Sequence, residues 1–326
     1  MKKNIIAFLL LSFGLVSCYD DYIEDFAYST VYIPQQLDVR TFVVGEGMKI
    51  KVGAELGGVR ENSRNRNVNF KIDEALITPE ILTAMQASSY NYIKSEVASL
   101  ESLTLLPSNY YSLSNGSTIV IEKGQHTGTI EVKADSAAFL ADAKTLQANY
   151  VLPFFVTNAD ADSILEEKRY AVIALRYENM LFGNYLHGGV TTVKDASGAT
   201  IETIRYYTTP TQGNTELWQL STVAPHALVS NGYSNTTSAN KAELQLSLEG
   251  TQITIGTAPG ATYTYLPDGE STYNGAKLLQ DRKIFLNYKY VNADGNTCFA
   301  QDTLTFRNRI RDGVNEWQDE NPDHYK

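Results

Sequence analysis

Alternation of apolar and polar residues in short runs is the feature of this sequence that most restricts its fold. Residues 244–248 place leucine at every second position, and residues 48–52, 68–72, 129–132, 252–255 and 283–291 alternate similarly. Successive side chains of a β-strand point to opposite faces, so each run has one face for a core and one for water. Glu249 and Gly250 lie between two such runs and predict a tight hairpin. Antiparallel sheets with one solvated face require this pattern, and we therefore predict an all-β chain.

Two segments of the first half depart from the strand pattern. Thr78 followed by Pro79 is typical of a helix start, because an N-cap residue precedes a proline at the first helical position. A helix is therefore predicted from there to about Leu100, and a second, alanine-rich one over residues 135–144.

Tyr150 opens the apolar segment 150–156, soon after the second predicted helix. A corner that leads into a core strand beginning with tyrosine resembles the sixth strand of immunoglobulin-like sandwiches, where the tyrosine hydroxyl bonds back to the chain. The resemblance implies an immunoglobulin-like sandwich with short helical insertions over residues 26–177, ending in a strand at residues 169–175.

Chain length favours a second unit, because domains of roughly 150 residues are the common size. The predicted second domain covers residues 178–326, and Gly183 two residues before Tyr185 is similar to the opening of lipocalin-like barrels. About eight strand candidates follow, the number that closes a small antiparallel β-barrel. A second sandwich fits the same strands nearly as well.

The first 17 residues have the composition of an export signal. Lys2 and Lys3 precede an apolar run over residues 5–16, which is too short to span a bilayer. The sequence Leu15-Val16-Ser17-Cys18 resembles a bacterial lipobox, which implies cleavage before Cys18 and acylation of that cysteine. An ordinary signal peptide with a chance cysteine is the alternative.

The residues after Cys18 suggest where the protein is sent. Residues 18–25 form an acidic tether that resembles the export signal of Bacteroidetes lipoproteins, which implies a lipid-anchored protein on the outer face of the outer membrane. A merely solvated linker, kept extended by its charge, is compatible with that interpretation.

Charge and cysteine content narrow the possible partners. Removal of residues 1–17 takes two of the 27 basic side chains and none of the 37 acidic ones, so the formal net charge changes from −10 to −12. Such a surface argues against nucleic acid and anionic lipid as partners and suits a neutral ligand or a cation. With Cys18 acylated, Cys298 remains alone, so we expect no intramolecular disulfide and a buried, apolar role for Cys298.

Two parts of the chain resemble domains of unknown function. Residues 106–113, 118–124 and 150–153 (LPSNYYSL, TIVIEKG and YVLP) resemble the N-terminal domain of Bacteroidetes surface lipoproteins, and residues 302–317 (DTLTFRNRIRDGVNEW) resemble the end of its companion C-terminal domain. The resemblance implies a product of a polysaccharide-utilisation locus, beside a starch-utilisation-type transporter. It brings neither a defined ligand nor catalytic residues.

Aromatic content supports a glycan-binding protein. The chain has 21 tyrosines, 12 phenylalanines and 2 tryptophans. Flat aromatic rings stack on the apolar faces of sugars, so an oligo- or polysaccharide is the expected partner. The candidate ligand-binding residues are Trp218, Tyr206, Tyr207, Tyr233, Tyr273 and Trp317. Taken singly, each is more typical of a core or sheet residue than of a ligand platform, and the arginines before Trp317 favour a tail fixed by arginine–carboxylate pairs.

Catalysis is not predicted. The histidines at positions 126, 187, 226 and 324 lack metal-ligand spacing, and no nucleophile elbow or family-18 glycosidase motif is present. We therefore expect no catalytic residue, no metal and no cofactor. A glycan-active enzyme remains one alternative and needs a carboxylate pair in a cleft. A fimbrial-type adhesive lipoprotein is another, although the polar residues 319–326 lack the alternation of a donor strand.

Overall fold

The structure, a computed structural model, describes residues 26–207 and 215–318. The predicted export signal, the lipidation residue Cys18, the acidic tether and the polar residues 319–326 lie outside the described residues. Within the described ranges the protein is mostly β-strand with a few short helices, which confirms the predicted all-β class.

The N-terminal half, residues 26–179, contains two sheets. Its strands are β1 Ala27–Tyr32, β2 Leu37–Val44, β3 Lys49–Val59, β4 Arg66–Ile72, β5 Thr104–Leu105, β6 Tyr111–Leu113, β7 Thr118–Ile121, β8 Thr127–Ala134, β9 Tyr150–Ala159, β10 Ser163–Ile164 and β11 Tyr170–Asn179. One sheet has the order β10-β1-β3-β8-β6, and the other has β2-β11-β9-β4-β7 with β5 beside β9. The alternating runs predicted as strands are β3, β4 and β8, and their apolar faces enclose one core with residues such as Phe42 and Leu152.

The predicted long helix is in fact two helices, α1 Pro79–Gln86 and α2 Asn91–Val97. Thr78 caps α1 as predicted, its hydroxyl accepting from the backbone N–H of Ile81 at 3.4 Å. The helix does not continue because Ser88 forms a local turn, its hydroxyl accepting from the N–H of Tyr90 at 3.1 Å. Both helices cover the outer face of the sheet that contains β2 and β11.

The second predicted helix, α3, is Ser136–Ala141, with Asp135 as its N-cap. It ends before residue 144 because Asp142 caps a separate short turn, its carboxylate accepting from the N–H of Lys144 at 2.9 Å. The other oxygen of Asp142 accepts from the hydroxyl of Tyr150 at 2.6 Å. The hydroxyl of Tyr150 therefore bonds back to the preceding corner, although its partner is a side chain.

The C-terminal half, residues 181–318, is built around one large sheet. Its strands are β12 Gly183–Lys194, β13 Thr200–Tyr206, β14 Leu217–Ala224, β15 Ala227–Ser230, β16 Gly232–Tyr233, β17 Thr236–Thr237, β18 Leu244–Glu249, β19 Gln252–Thr257, β20 Leu266–Pro267, β21 Ser271–Tyr273, β22 Lys283–Val291, β23 Thr297–Arg311 and β24 Val314–Glu316. The predicted hairpin is β18 and β19, with Glu249 opposite Gln252.

The large sheet closes on itself. Hydrogen bonding runs through β12-β14-β15-β18-β19-β21-β22-β23, and β23 pairs again with β12. The strands β13, β20 and β24 are attached to β12, β22 and β23 respectively. Closure gives each strand of the ring two neighbours, although some of the pairings are short, with only two residues each between β19 and β21 and between β21 and β22.

The two halves are joined by a buried ion cluster. Glu46, in the turn between β2 and β3, accepts from Arg282 Nη2, Arg309 Nη1 and Arg309 Nη2, each at 2.8 Å. The side chains of Glu46, Arg282 and Arg309 are 7%, 0% and 2% exposed. Burial alone would raise the pKa of Glu46, but the hydrogen bonds and charges of the two arginines hold this pKa below its ordinary value. The guanidinium of Arg309 also lies 5.0 Å from the ring centre of Phe182.

No helix among residues 26–207 and 215–318 combines the length and the apolar character that crossing a bilayer requires.

Candidate ligand-binding cleft

A cleft of about 480 Å³ lies where the two halves meet. One wall is formed by β2, α2 and β11 of the N-terminal half, and the other by the tip of the hairpin between β23 and β24. The cleft therefore depends on both halves, and the buried Glu46 cluster fixes their contact.

The hairpin tip is fixed by its two turn residues. Asp312 and Gly313 have φ angles of +52° and +78°, the backbone that an Asp-Gly pair adopts readily in a two-residue hairpin turn. Gly313 lies against the aromatic ring of Tyr92 on α2, where an added Cβ would be 2.6 Å from Tyr92 Cδ1. An Asp-Gly pair between short alternating runs is a sequence signal for a hairpin. This signal was present at residues 312 and 313 but was not used to predict one.

An arginine between two carboxylates occupies the N-terminal wall. Arg176 Nη1 lies 2.6 Å from Glu96 Oε1, and Arg176 Nη2 donates to Glu178 Oε1. Burial raises the pKa of Glu178, and the neighbouring charge of Arg176 offsets only part of that effect. The buried Nε of Arg176 has no hydrogen-bond partner among the described residues.

Asp312 brings a carboxylate to the opposite wall. Its Oδ2 accepts from the N–H of Thr41 at 3.3 Å and lies 3.4 Å from Arg40 Nε. Burial raises the pKa of Asp312 despite these contacts. Its Oδ1 is buried and accepts no hydrogen bond from the part of the chain that the structure describes. Arg176 and Asp312 thus bring charged donor and acceptor groups to the cleft, although Arg176 Nε and Asp312 Oδ1 are themselves buried.

Tyr92 is held rigidly at the edge of this polar surface. Its hydroxyl donates to Asp38 Oδ1 at 2.8 Å and accepts from Gln35 Nε2 at 2.8 Å. Burial raises the pKa of Asp38, and the hydrogen bond from Tyr92 acts against that rise. Tyr90 lies next to it, with the two ring centres 6.0 Å apart, and is exposed. The cleft therefore offers aromatic surface beside charged groups.

The structure corrects the prediction for Trp218. Its side chain is fully buried, and its indole stacks on the imidazole of His187 with ring centres 4.1 Å apart. Gly232 covers the polar edge, since a Cβ there would lie 2.3 Å from Trp218 Nε1. Trp218 has no free face for a sugar, and it is a core residue of the closed sheet.

The prediction for Tyr206 is wrong for a related reason. Tyr206 is buried inside the closed sheet, and its hydroxyl donates to Asp302. The same carboxylate accepts from Tyr288 at 2.6 Å and lies 3.2 Å from His187 Nε2. The hydroxyl of Tyr206 is therefore engaged inside the sheet, and Tyr206 has no surface to offer a ligand.

The other predicted residues do not meet at one site. Tyr233 is half-buried, and its ring is 5.4 to 5.6 Å from the rings of Tyr263, Tyr265 and Tyr290. Tyr273 is half-buried on β21, and Tyr207 is exposed at the end of β13. None of the six predicted aromatic residues lines the cleft.

Trp317 is exposed, but the chain just before it is fixed. Glu316 Oε2 lies 2.6 Å from Arg309 Nε, and Glu316 Oε1 accepts from Arg311 Nε at 2.9 Å. The arginine–carboxylate pairs predicted for this tail are confirmed for Arg309 and Arg311. The indole of Trp317 is nevertheless 58% exposed, so the fixed backbone presents the ring to solvent.

No set of three or more histidine, cysteine, aspartate or glutamate side chains in residues 26–207 and 215–318 is arranged to hold a metal ion. Cys298 is buried, as predicted.

Comparison with known proteins finds a matching family model and a solved structure with a similar fold. A family model described as "-like, N-terminal domain" matches residues 25–163. A solved structure of a protein of unknown function from Bacteroides ovatus has a TM-score of 0.61 at 23% identity, over 90% of this chain and 98% of that one. The similarity shows that this protein shares its fold, through both halves, with that Bacteroides ovatus protein.

Two further Bacteroides ovatus structures are more distant. A protein of unknown function has a TM-score of 0.44 at 14% identity, over 89% of this chain and 100% of its own. A multidomain protein including DUF1735 has a TM-score of 0.42 at 12% identity, with the same shares covered. No curated relative matches the chain significantly.

Proposed function

We propose that this protein is a surface lipoprotein of the outer membrane that binds a glycan for a polysaccharide-utilisation system, and that the cleft between the halves holds the sugar. The observation that carries the proposal is a cleft of about 480 Å³ in which the charged side chains of Arg176 and Asp312 line the walls together with the aromatic side chain of Tyr92. A sugar hydroxyl donates and accepts at once, while the apolar face of a sugar ring packs on an aromatic side chain.

The charge of the protein supports a neutral sugar. The formal net charge is −10. The cleft itself is balanced, because Glu96, Glu178 and Asp312 line it together with Lys94, Arg176 and Arg311. The overall negative charge disfavours an anionic polysaccharide, and a cleft with balanced charges suits a neutral saccharide.

The cellular location is proposed from the sequence. Cys18 in its lipobox-like context would carry the lipid, and the acidic residues that follow would direct the protein to the cell surface. In this proposal the N-terminal half is an immunoglobulin-like spacer and the closed sheet is lipocalin-like. The protein would stand beside a starch-utilisation-type transporter and hold its glycan.

The binding test uses residues 19–326 on a glycan array, followed by calorimetry with the best ligand. Asp312→Asn keeps the turn, because asparagine tolerates a positive φ, but removes the charged acceptor. A hydrogen bond to a charged group contributes about 1.5–3 kcal/mol, so affinity should fall by about tenfold or more. Asp294→Asn, which removes one charge from an exposed turn, is the matched control and should bind as the wild type does.

Each alternative has its own outcome. Binding to no glycan would refute the proposed function, and unchanged binding by Asp312→Asn would refute the site. Release of reducing sugar would favour an enzyme, and polymerisation in solution would favour a fimbrial-type protein.

The location has a separate test. Mass spectrometry of the membrane-extracted protein should find Cys18 acylated, and protease added to intact cells should digest it. A Cys18→Ser variant should leave the membrane fraction. An unmodified Cys18, or protection from protease, would contradict the proposed location.

A further inference from the structure

The outer face of the hairpin formed by β23 and β24 is continuous with the cleft. Ile310 on β23 lines the cleft and is 64% exposed. Asn308 lies two residues earlier and Asn315 is paired opposite Ile310, so all three side chains share one face.

A row of side-chain amides crosses this face. Asn184 Nδ2 donates to Asn308 Oδ1 at 3.4 Å, and Asn308 Nδ2 donates to Asn315 Oδ1 at 2.7 Å. The three residues come from the neighbouring strands β12, β23 and β24. An amide has two N–H donors and an oxygen with two lone pairs, so each of these bonds uses only part of its capacity. The row can therefore still bond to the hydroxyl groups of a ligand.

Trp317 adds a large apolar surface beside the amides. It follows Asn315 by two residues, and the ion pairs of Glu316 with Arg309 and Arg311 fix the backbone between them. An indole that is 58% exposed on a rigid support loses little conformational freedom when a ligand stacks on it.

We infer that the glycan is a neutral, linear oligosaccharide that lies with one unit in the cleft and further units along this face, stacked on Trp317. The inference rests on the proposed function and adds a requirement for chain length. From Ile310 to the level of Asn308 the strand advances about 7 Å, at about 3.3 Å per residue, so the face reaches beyond what a single sugar in the cleft could touch. An exposed strand face that continues from the cleft favours an extended chain over a compact branched end.

The test is affinity as a function of chain length. Malto-, cello-, xylo- and mannooligosaccharides, each from monomer to hexamer, are titrated calorimetrically into residues 19–326. Affinity in the recognised series should rise with length and then level off. Trp317→Ala should lower the affinity for the longest chain by about three- to tenfold, the size of an aromatic contact, and leave the shortest bound chain unaffected. Asn315→Ala should act in the same direction.

The control lies on the same short strand. Val314 is also largely exposed, but it does not line the cleft and its side chain lies on the face opposite to that of Asn315, so Val314→Ala should bind all lengths as the wild type does. Circular dichroism of each variant shows whether it is folded.

The possible outcomes distinguish this inference from the proposed glycan-binding function on which it rests. Affinity that does not depend on chain length, or equal binding by Trp317→Ala and the wild type, overturns the inference and leaves cleft binding intact. No binding in any of the four series overturns both.

Discussion

The buried ion cluster at Glu46 makes a strong prediction about stability. Glu46→Gln removes the negative charge that neutralises Arg282 and Arg309, both of which are almost completely buried. Removing one member of a buried ion pair typically costs about 3–5 kcal/mol, because the remaining charge stays desolvated. Glutamine keeps one oxygen acceptor, so about 3 kcal/mol is expected for it and up to about 5 kcal/mol for Glu46→Ala.

Urea denaturation at neutral pH, followed by tryptophan emission and circular dichroism, measures this loss. The control is Glu131→Gln, which breaks a pair with Lys49 at 3.3 Å whose side chains are 35% and 37% exposed. An exposed pair of this kind contributes at most about 1 kcal/mol. If the two variants lose the same free energy of unfolding, the reasoning about the buried cluster is wrong.

The pH dependence of this difference checks the same argument independently. The pKa of Glu46 is lower in the folded protein than its ordinary value of 4.5. Its contribution is therefore complete at pH values above 4.5 and is lost as the pH falls through the folded-state pKa. The stability gap between wild type and Glu46→Gln should close in acid. A gap that widens there would contradict the assignment of the charged form.

Two further substitutions test the local geometry. Gly313→Ala should lower the free energy of unfolding more than Gly295→Ala does: both glycines have φ near +80°, but only at Gly313 would the new Cβ meet Tyr92, at 2.6 Å. Urea denaturation of both should show an excess loss of about 1–3 kcal/mol for Gly313→Ala, the range expected for overpacking, and equal losses would argue against the contact. Tyr150→Phe removes the 2.6 Å hydrogen bond to Asp142 and should cost about 1–3 kcal/mol in the same assay, and a neutral result would refute a structural role for that bond.

Local sequence patterns predicted the strands well because each pattern acts within a few residues. The alternation in residues 244–248 and 283–291 corresponds to β18 and β22, and the Thr78-Pro79 pair marks the start of α1. The end of α1 was not predicted, because the sequence around Ser88 does not reveal that its hydroxyl accepts a hydrogen bond from the N–H of Tyr90 and forms a turn there.

The candidate site was mispredicted because local polarity does not reveal burial. Tyr206 follows Arg205, and Trp218 precedes Gln219, so both stand beside a polar residue in the sequence. Both side chains are nevertheless buried inside the closed sheet. The polar partner of Tyr206 in space is Asp302, 96 residues away in sequence, and no local pattern indicates that pairing. The cleft escaped prediction for the same reason, since Tyr92, Arg176 and Asp312 meet only after the two halves are in contact.

Because residues of both halves form the cleft, the binding of a ligand there would be coupled to folding. Its lining residues lie at positions 39 and 41, between 91 and 98, between 176 and 182, and at 310–313, so the cleft is complete only when the hairpin of β23 and β24 packs against α2. Any molecule that recognises only the finished arrangement shifts the equilibrium toward it by mass action. A bound sugar would then stabilise the contact between the halves. A rise in the melting temperature with sugar concentration would measure the affinity of that binding.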